Sequence, residues 1–126
     1  MSAEILLVED NRLNRKLVSR FLHARGFEVA SVETVGEAES WLSAHRAAVV
    51  LVDVALPGED GLTLVRRLRE RESVHTPVVA LTAHAMPGDR ERALAAGCDA
   101  YLSKPVHLGR LLSTVRELCA LDVKVT

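Results

Sequence analysis

The stretch "AAVVLVDVALPGEDG" runs from Ala47 to Gly61. Seven apolar residues, Ala47 to Val52 and then Val54, surround one carboxylate, Asp53. An ionised side chain is expensive to bury unless something pairs with it. A turn signal, Leu56-Pro57-Gly58, follows almost at once. The run therefore predicts a buried strand that delivers Asp53 to its open end.

On either side of this run the apolar period keeps changing. Glu4 to Glu9 (EILLVE) reads as a short strand. Leu13, Leu17, Val18, Phe21 and Leu22 then recur at helical spacing, with Asn11 as N-cap and Gly26 as stop. Phe27 to Val32 (FEVASV) alternates like an edge strand, and Val35, Ala38, Trp41 and Leu42 make a second helical stripe ending near His45. Ala48 to Asp53 is the third strand. Leu62, Leu64, Val65 and Leu68 mark a third helix, with Arg66, Arg67, Arg69 and Glu70 on its outer face. Pro77 to Thr82 is a fourth strand, and Pro87 to Gly97 brackets a fourth helix. Ala100 to Ser103 is a short fifth strand. Leu108, Leu111, Leu112, Val115, Leu118 and Cys119 form the stripe of a last helix. Strands alternating with helices predict an α/β fold: a parallel sheet covered on both faces, with ILLV, VVLV and VVAL as inner strands.

The chain has 126 residues, 48% of them apolar, which suits one domain over 1–126 with a core over about 4–120. Net charge is -1, from 16 basic and 17 acidic residues, so neither nucleic acid nor a membrane surface is the expected partner. No apolar run approaches bilayer length, and Met1-Ser2-Ala3-Glu4 lacks a basic leader, so a cytoplasmic location is expected. Cys98 and Cys119 fit no metal spacing and are expected to be reduced packing residues, and the five histidines do not cluster.

In doubly wound sheets, sites form outside the carboxyl ends of the strands. Glu9-Asp10, Asp53, Thr82 and Ser103-Lys104-Pro105 stand there. Gathered carboxylates hold protons unless a cation neutralises them. Oxygen-only ligands at a wet edge suit Mg²⁺, with Mn²⁺ as an alternative. The chain has 13 arginines and three lysines, yet the residue after the fifth strand is Lys104, a compact charge suited to one phosphate or carboxylate oxygen. Taken singly, each residue has a plain structural reading: Asp10 as a cap, Asp53 as a turn residue, Thr82 as a strand end, Lys104 as a solvated cation. Four strand ends carrying complementary chemistry at one edge argue for a site.

With "LLVEDN", "LVDVALPGEDG", "ALTAHAM" and "DAYLSKP" in order, the chain resembles the response-regulator receiver domains of two-component signalling, from about Ile5 to Leu118. It is most similar to single-domain regulators of the DivK type and to receivers of hybrid histidine kinases. The resemblance implies a CheY-like, flavodoxin-like (βα)5 fold with strand order 2-1-3-4-5. It implies Asp53 as phosphoacceptor, with Glu9, Asp10, Asp53 and the Ala55 backbone carbonyl around the metal. Thr82 and Tyr101 would be the switch pair, Lys104 the partner of a phosphoryl oxygen, and Pro105 a cis proline. Asn14, Arg15 and Val18 (beside Ser19) would dock a histidine kinase or histidine phosphotransfer protein. The face of helix four, strand five and helix five, with Met86, Arg90, Tyr101, His107 and Arg110, would meet a downstream protein or a second copy. Such a chain is not an enzyme beyond its own aspartyl phosphorylation and dephosphorylation.

Two departures stand out. Ala55 is smaller than many residues at that position and should leave the phosphoryl site open. Glu59-Asp60 adds negative charge, and His84 stands two residues past Thr82; all three are expected to affect phosphoryl lifetime. Few residues follow the last helix, so output is expected to be protein–protein. The alternatives are a receiver excised from a hybrid histidine kinase and acting as a phosphorelay intermediate, or a pseudo-receiver that only binds. An aspartyl phosphatase would need a second acid where Ala55 stands.

Overall fold

The computed structural model describes residues 4–56, 58–71, 75–83 and 87–125, with side chains described to residue 119. Pro57, His84 and Met86 lie outside the described residues. The elements run β1 (Glu4–Val8), α1 (Arg12–His23), β2 (Glu28–Val32), α2 (Val35–Ala44), β3 (Val49–Asp53), α3 (Gly61–Arg71), β4 (Val78–Thr82), α4 (Asp89–Ala96), β5 (Ala100–Ser103) and α5 (Leu108–Val125). The sheet is parallel, in the order β2-β1-β3-β4-β5.

β3 and β4 are buried along their whole length, and β1 along all but its first residue. β2, as the alternating FEVASV predicts, and β5 are partly exposed at the two edges. Successive strand residues face opposite sides, so the sheet feeds two cores. Ile5, Leu7, Val49, Leu51, Val79 and Leu81 pack with Val18 and Leu22 of α1 and Leu111 and Val115 of α5. Leu6, Val8, Val50, Val52, Val78 and Ala80 pack under α2, α3 and α4.

Three expectations are corrected. Leu13 and Leu17 are not core residues of α1: they are 77% and 55% exposed, while Val18 and Leu22 face the sheet. Arg69 does not lie on the outer face of α3. Its guanidinium folds inward, donating to the carbonyls of Gly97 and Thr76 and to Asp99 Oδ2. Asp99 also accepts from the Val78 N–H, so one carboxylate ties α3 to the entry of β4. Helix α4 begins at Asp89 rather than Pro87, because Gly88 turns the chain with φ 89° and acts as N-cap. Cys98 and Cys119 are not bridged to each other; Cys98 is buried and Cys119 half-buried.

Candidate functional site

The strand order places the ends of β1 and β3 side by side, with β4 and β5 beyond them. Glu9 follows β1 and is 2% exposed; Asp53 ends β3 and is 4% exposed. Lys104, just past β5, reaches across to both. Its Nζ donates to Glu9 Oε1 at 2.6 Å and to Asp53 Oδ2 at 2.8 Å. The remaining oxygens are also held: Glu9 Oε2 accepts from the Asn11 N–H at 3.1 Å, and Asp53 Oδ1 from the Ala55 N–H at 3.0 Å. This answers the burial problem, since each buried carboxylate has an ammonium and a backbone N–H. Burial raises the Glu9 carboxyl above its ordinary range; Lys104 and the Asn11 N–H oppose that, and the charge of Asp53 adds to it. Burial also disfavours the Lys104 charge, but its hydrogen bonds to Asp53 and Glu9 outweigh that and raise its pKa.

Asp10, solvent-accessible at the mouth, completes an acidic group. One carboxylate oxygen each from Glu9, Asp10 and Asp53 lie within 4.8 Å of one another, the one such group among the described residues. Three oxygen donors beside open water fit a hard divalent cation, Mg²⁺ above all. The Ala55 backbone lies against Asp53 through its N–H, at the position expected to supply a further carbonyl.

The floor of the site is set by a glycine. A Cβ on Gly61 would fall 2.2 Å from the Asp53 carbonyl oxygen, so only glycine lets α3 start this close to the end of β3. Asp60 is occupied as a cap, its Oδ1 accepting from the Leu62 N–H at 2.9 Å. Glu59 pairs with Arg67 at 3.4 Å, and Arg67 also holds Glu39. The negative charge that Glu59-Asp60 was expected to add is therefore partly spoken for. Thr82 is buried and lines a cleft of about 580 Å³ with Ala55, Asp60, Asp89 and Arg92, beside the position that Ala55 was expected to leave open. Asp89 and Arg92 pair with each other. Tyr101 is half-buried on β5 opposite Ala80, and Ser103 lies opposite Thr82. The Lys104–Pro105 peptide is cis.

The docking residues expected on α1 are only partly where they were placed. Val18 is 6% exposed and lines the groove beside Pro105 rather than standing out on the helix face. Arg15 turns back on the site: its Nη1 donates to the carbonyls of Glu9 and Asp10 at 3.1 and 3.2 Å and pairs with Glu33 at 3.4 Å. Asn14, by contrast, lines an apolar groove of about 110 Å³ with Leu17, Pro105, Val106 and Leu108, adjoining Lys104. The exposed Leu13 and Leu17 are the residues missed here. Their helical spacing had marked them for the core.

A family profile described as "Response regulator receiver domain" matches residues 5–116. The polar-differentiation response regulator DivK of Brucella ovis is 38% identical over 117 residues, covering 92% of this chain and 95% of that protein. The receiver domain of a sensor histidine kinase from Pseudomonas aeruginosa PAO1, solved with a magnesium ion coordinated in its active-site cleft, is 35% identical. It superposes with a TM-score of 0.87, covering 95% of this chain and 99% of that one. A CheY-like receiver domain protein of Methanospirillum hungatei is 26% identical, with a TM-score of 0.91 and full coverage of both chains.

Proposed function

We propose that this chain, which belongs to the response regulator receiver family, accepts a phosphoryl group on Asp53 from a phosphohistidine of a histidine kinase or histidine phosphotransfer protein. The observation that carries this reading is the Glu9–Lys104–Asp53 arrangement, an ionisable nucleophile held beside an ammonium and an acidic group able to take a metal. A carboxylate oxygen of Asp53 attacks phosphorus. The O–P bond forms as the P–N bond breaks, and the departing imidazole nitrogen keeps the electron pair. Lys104 offsets charge on the phosphoryl oxygens. Mg²⁺, held by Glu9, Asp10, Asp53 and the Ala55 carbonyl, would neutralise the same oxygens when bound. The chain acts on itself alone and turns over no separate substrate.

The acyl phosphate adds charge beside Thr82, whose hydroxyl would bond it and draw on the segment leading to α4. Tyr101, two positions before Ser103 on the neighbouring strand, would respond to that shift. The phosphodonor protein is proposed to dock on Leu13, Leu17 and Asn14 and in the groove beside Pro105, which borders Lys104. A cytoplasmic setting goes with this partner. Among the described residues no helix is long and apolar enough to cross a membrane.

The test is loading with acetyl phosphate and Mg²⁺, read by intact mass, together with fluoroberyllate titration followed by NMR. Wild type should gain one phosphoryl group and shift its Thr82 and Lys104 amides; Asp53→Asn should do neither. No gain by wild type, or equal gain by Asp53→Asn, overturns the reading.

A further inference from the structure

Among the described residues that line the cleft beside Thr82, Arg92 is the one cation, and it shares the wall with two carboxylates, Asp60 and Asp89. Its guanidinium donates to Asp89, three residues earlier on α4. The Arg92 side chain is 65% exposed, so this is a surface pair, weakly held and open to exchange. Asp89, by hydrogen bond and by charge, lifts Arg92 above the ordinary arginine range, and the charge of Asp60 adds to that. Ala55 joins the cleft to the nucleophile. Its N–H bonds Asp53 Oδ1, the oxygen that Lys104 does not hold, and its side chain adds only a methyl group to the wall.

A phosphoryl group on Asp53 would bring added negative charge to this edge. Lys104 answers it from the β5 side, where it already bridges Glu9 and Asp53. On the Thr82 side the cation at hand is Arg92. A guanidinium can bond phosphate through two parallel N–H groups, a stronger match than one carboxylate beside water. Asp89 is not stranded when Arg92 leaves. It is the first residue of α4, at the helix end whose backbone N–H groups favour an anion. Gly88, the N-cap, gives those groups no side-chain acceptor. Exchange therefore gains neutralisation at Asp53 and costs little at Asp89.

We infer that Arg92 exchanges its bond to Asp89 for one to the phosphoryl group on Asp53, so that Arg92 stabilises the phosphorylated chain and Asp89 restrains it. This rests on the reading of Asp53 as phosphoacceptor and adds to it a phosphoryl ligand from α4. A pair that only fastened the start of α4 would behave differently. Removing either partner would break the same bond, with an effect of the same sign. Exchange gives opposite signs, because losing Arg92 removes a ligand and losing the Asp89 charge frees one. It also makes the effect of Asp89 depend on Arg92, which a simple change of local charge would not.

The test titrates fluoroberyllate, with Mg²⁺ present, into wild type, Arg92→Gln, Asp89→Asn and the double variant, followed by NMR of the backbone amides and the arginine Nε–H groups. In wild type the Arg92 Nε–H should shift on loading, a readout that needs no variant to fold. Arg92→Gln should weaken fluoroberyllate binding by about 10-fold. Asp89→Asn should tighten it by about 2- to 5-fold, the scale of an exposed ion pair. In the Arg92→Gln background Asp89→Asn should change nothing, since Asp89 acts through Arg92. Arg92→Lys, which keeps the charge without the fork, should fall between wild type and Arg92→Gln. An Arg92 Nε–H unmoved by loading, effects of one sign from both single variants, or the full Asp89→Asn gain in the absence of Arg92 would overturn the inference. Loading of wild type without these effects sinks the exchange and leaves Asp53 chemistry standing; no loading of wild type sinks both.

Discussion

Replacing Gly61 by alanine should damage phosphoryl acceptance more than folding. The added Cβ would meet the Asp53 carbonyl oxygen at 2.2 Å, its carbonyl carbon at 3.0 Å and Val52 Cγ2 at 3.1 Å. A carbon–oxygen contact relaxes near 3.3 Å, so something must move by about 1 Å. Two of the three obstructing atoms are backbone, and the Gly61 N–H is itself bonded to the Val54 carbonyl at 2.9 Å. The start of α3 and the end of β3 therefore cannot part without breaking that bond. Overpacking of this kind costs about 1–3 kcal/mol. The better helix propensity of alanine returns about 0.5–1 kcal/mol. A net loss of about 1–2 kcal/mol should lower Tm by roughly 3–10 °C in a chain of this size. The strain falls on the residue that carries the nucleophile, where about 1 Å of misplacement costs on the order of 100-fold in rate. The assay is thermal unfolding by circular dichroism together with the acetyl-phosphate loading rate at a temperature where both proteins are folded. Loading at the wild-type rate by a folded Gly61→Ala chain would refute the claim that this contact positions Asp53. An unchanged Tm would refute the claim that the contact is rigid.

Three further outcomes follow from named contacts. Leu17→Glu, at an exposed apolar position bordering the Lys104 groove, should slow transfer from a protein phosphohistidine by roughly 10-fold relative to acetyl phosphate; equal slowing from both donors would contradict docking there. Arg15→Met removes the clamp on the Glu9 and Asp10 carbonyls and should weaken Mg²⁺ binding by about 10-fold or more, read from amide shifts at Glu9–Asn11. Arg15→Lys should restore part of it, because one nitrogen, Nη1, makes all three contacts with the two carbonyls and Glu33, and an ammonium also offers three donors, on a shorter stem. Burial pushes the Cys98 thiol up to about 11 from 9.0. Because the folded chain holds this proton longer than the unfolded one, stability should fall as pH rises from 9.0 to about 11, by about 2–3 kcal/mol relative to Cys98→Ala in chemical denaturation; parallel curves for the two proteins would disprove it.

The sheet was legible because its signals are local. VVLVD and VVALT are apolar throughout, and only strands buried on both faces read that way. Helix α1 was less legible, for a reason that can be stated in degrees. At roughly 100° per residue, Leu13 and Leu22 point about 180° apart, with Leu17, Phe21 and Val18 spread between them. A stripe that wide cannot all face one sheet. The pattern does not say which margin is left out; packing buries Val18 and Leu22 and exposes Leu13 and Leu17. Long cations were the other blind spot. Arg15 and Arg69 both look like surface residues in the sequence, yet each bonds backbone carbonyls, Arg69 at a site 28 residues away. Targets on the backbone leave no trace in side-chain patterns, so no spacing rule could have found them.

The candidate site itself was legible because carboxylates are costly in apolar company. What the sequence could not supply is how Lys104 is shared. Three carboxylates, Glu9, Asp10 and Asp53, face one ammonium, and that ammonium bonds the two buried ones together. The site is therefore short of positive charge as the chain stands, and a divalent cation at Asp10 would make up the deficit from the open side. Any phosphoryl group arriving on Asp53 then competes with Glu9 for Lys104. Burial lifts the Glu9 carboxyl above its ordinary range, while Lys104 and the Asn11 N–H oppose that. On the proposed reading the buried glutamate would be a holding partner, keeping the lysine in place before reaction and releasing it to the phosphoryl oxygens. Glu9→Gln should loosen Lys104 in the unphosphorylated chain, seen as faster ammonium exchange by NMR. Exchange that stays as slow as in wild type would show that Asp53 alone holds the lysine.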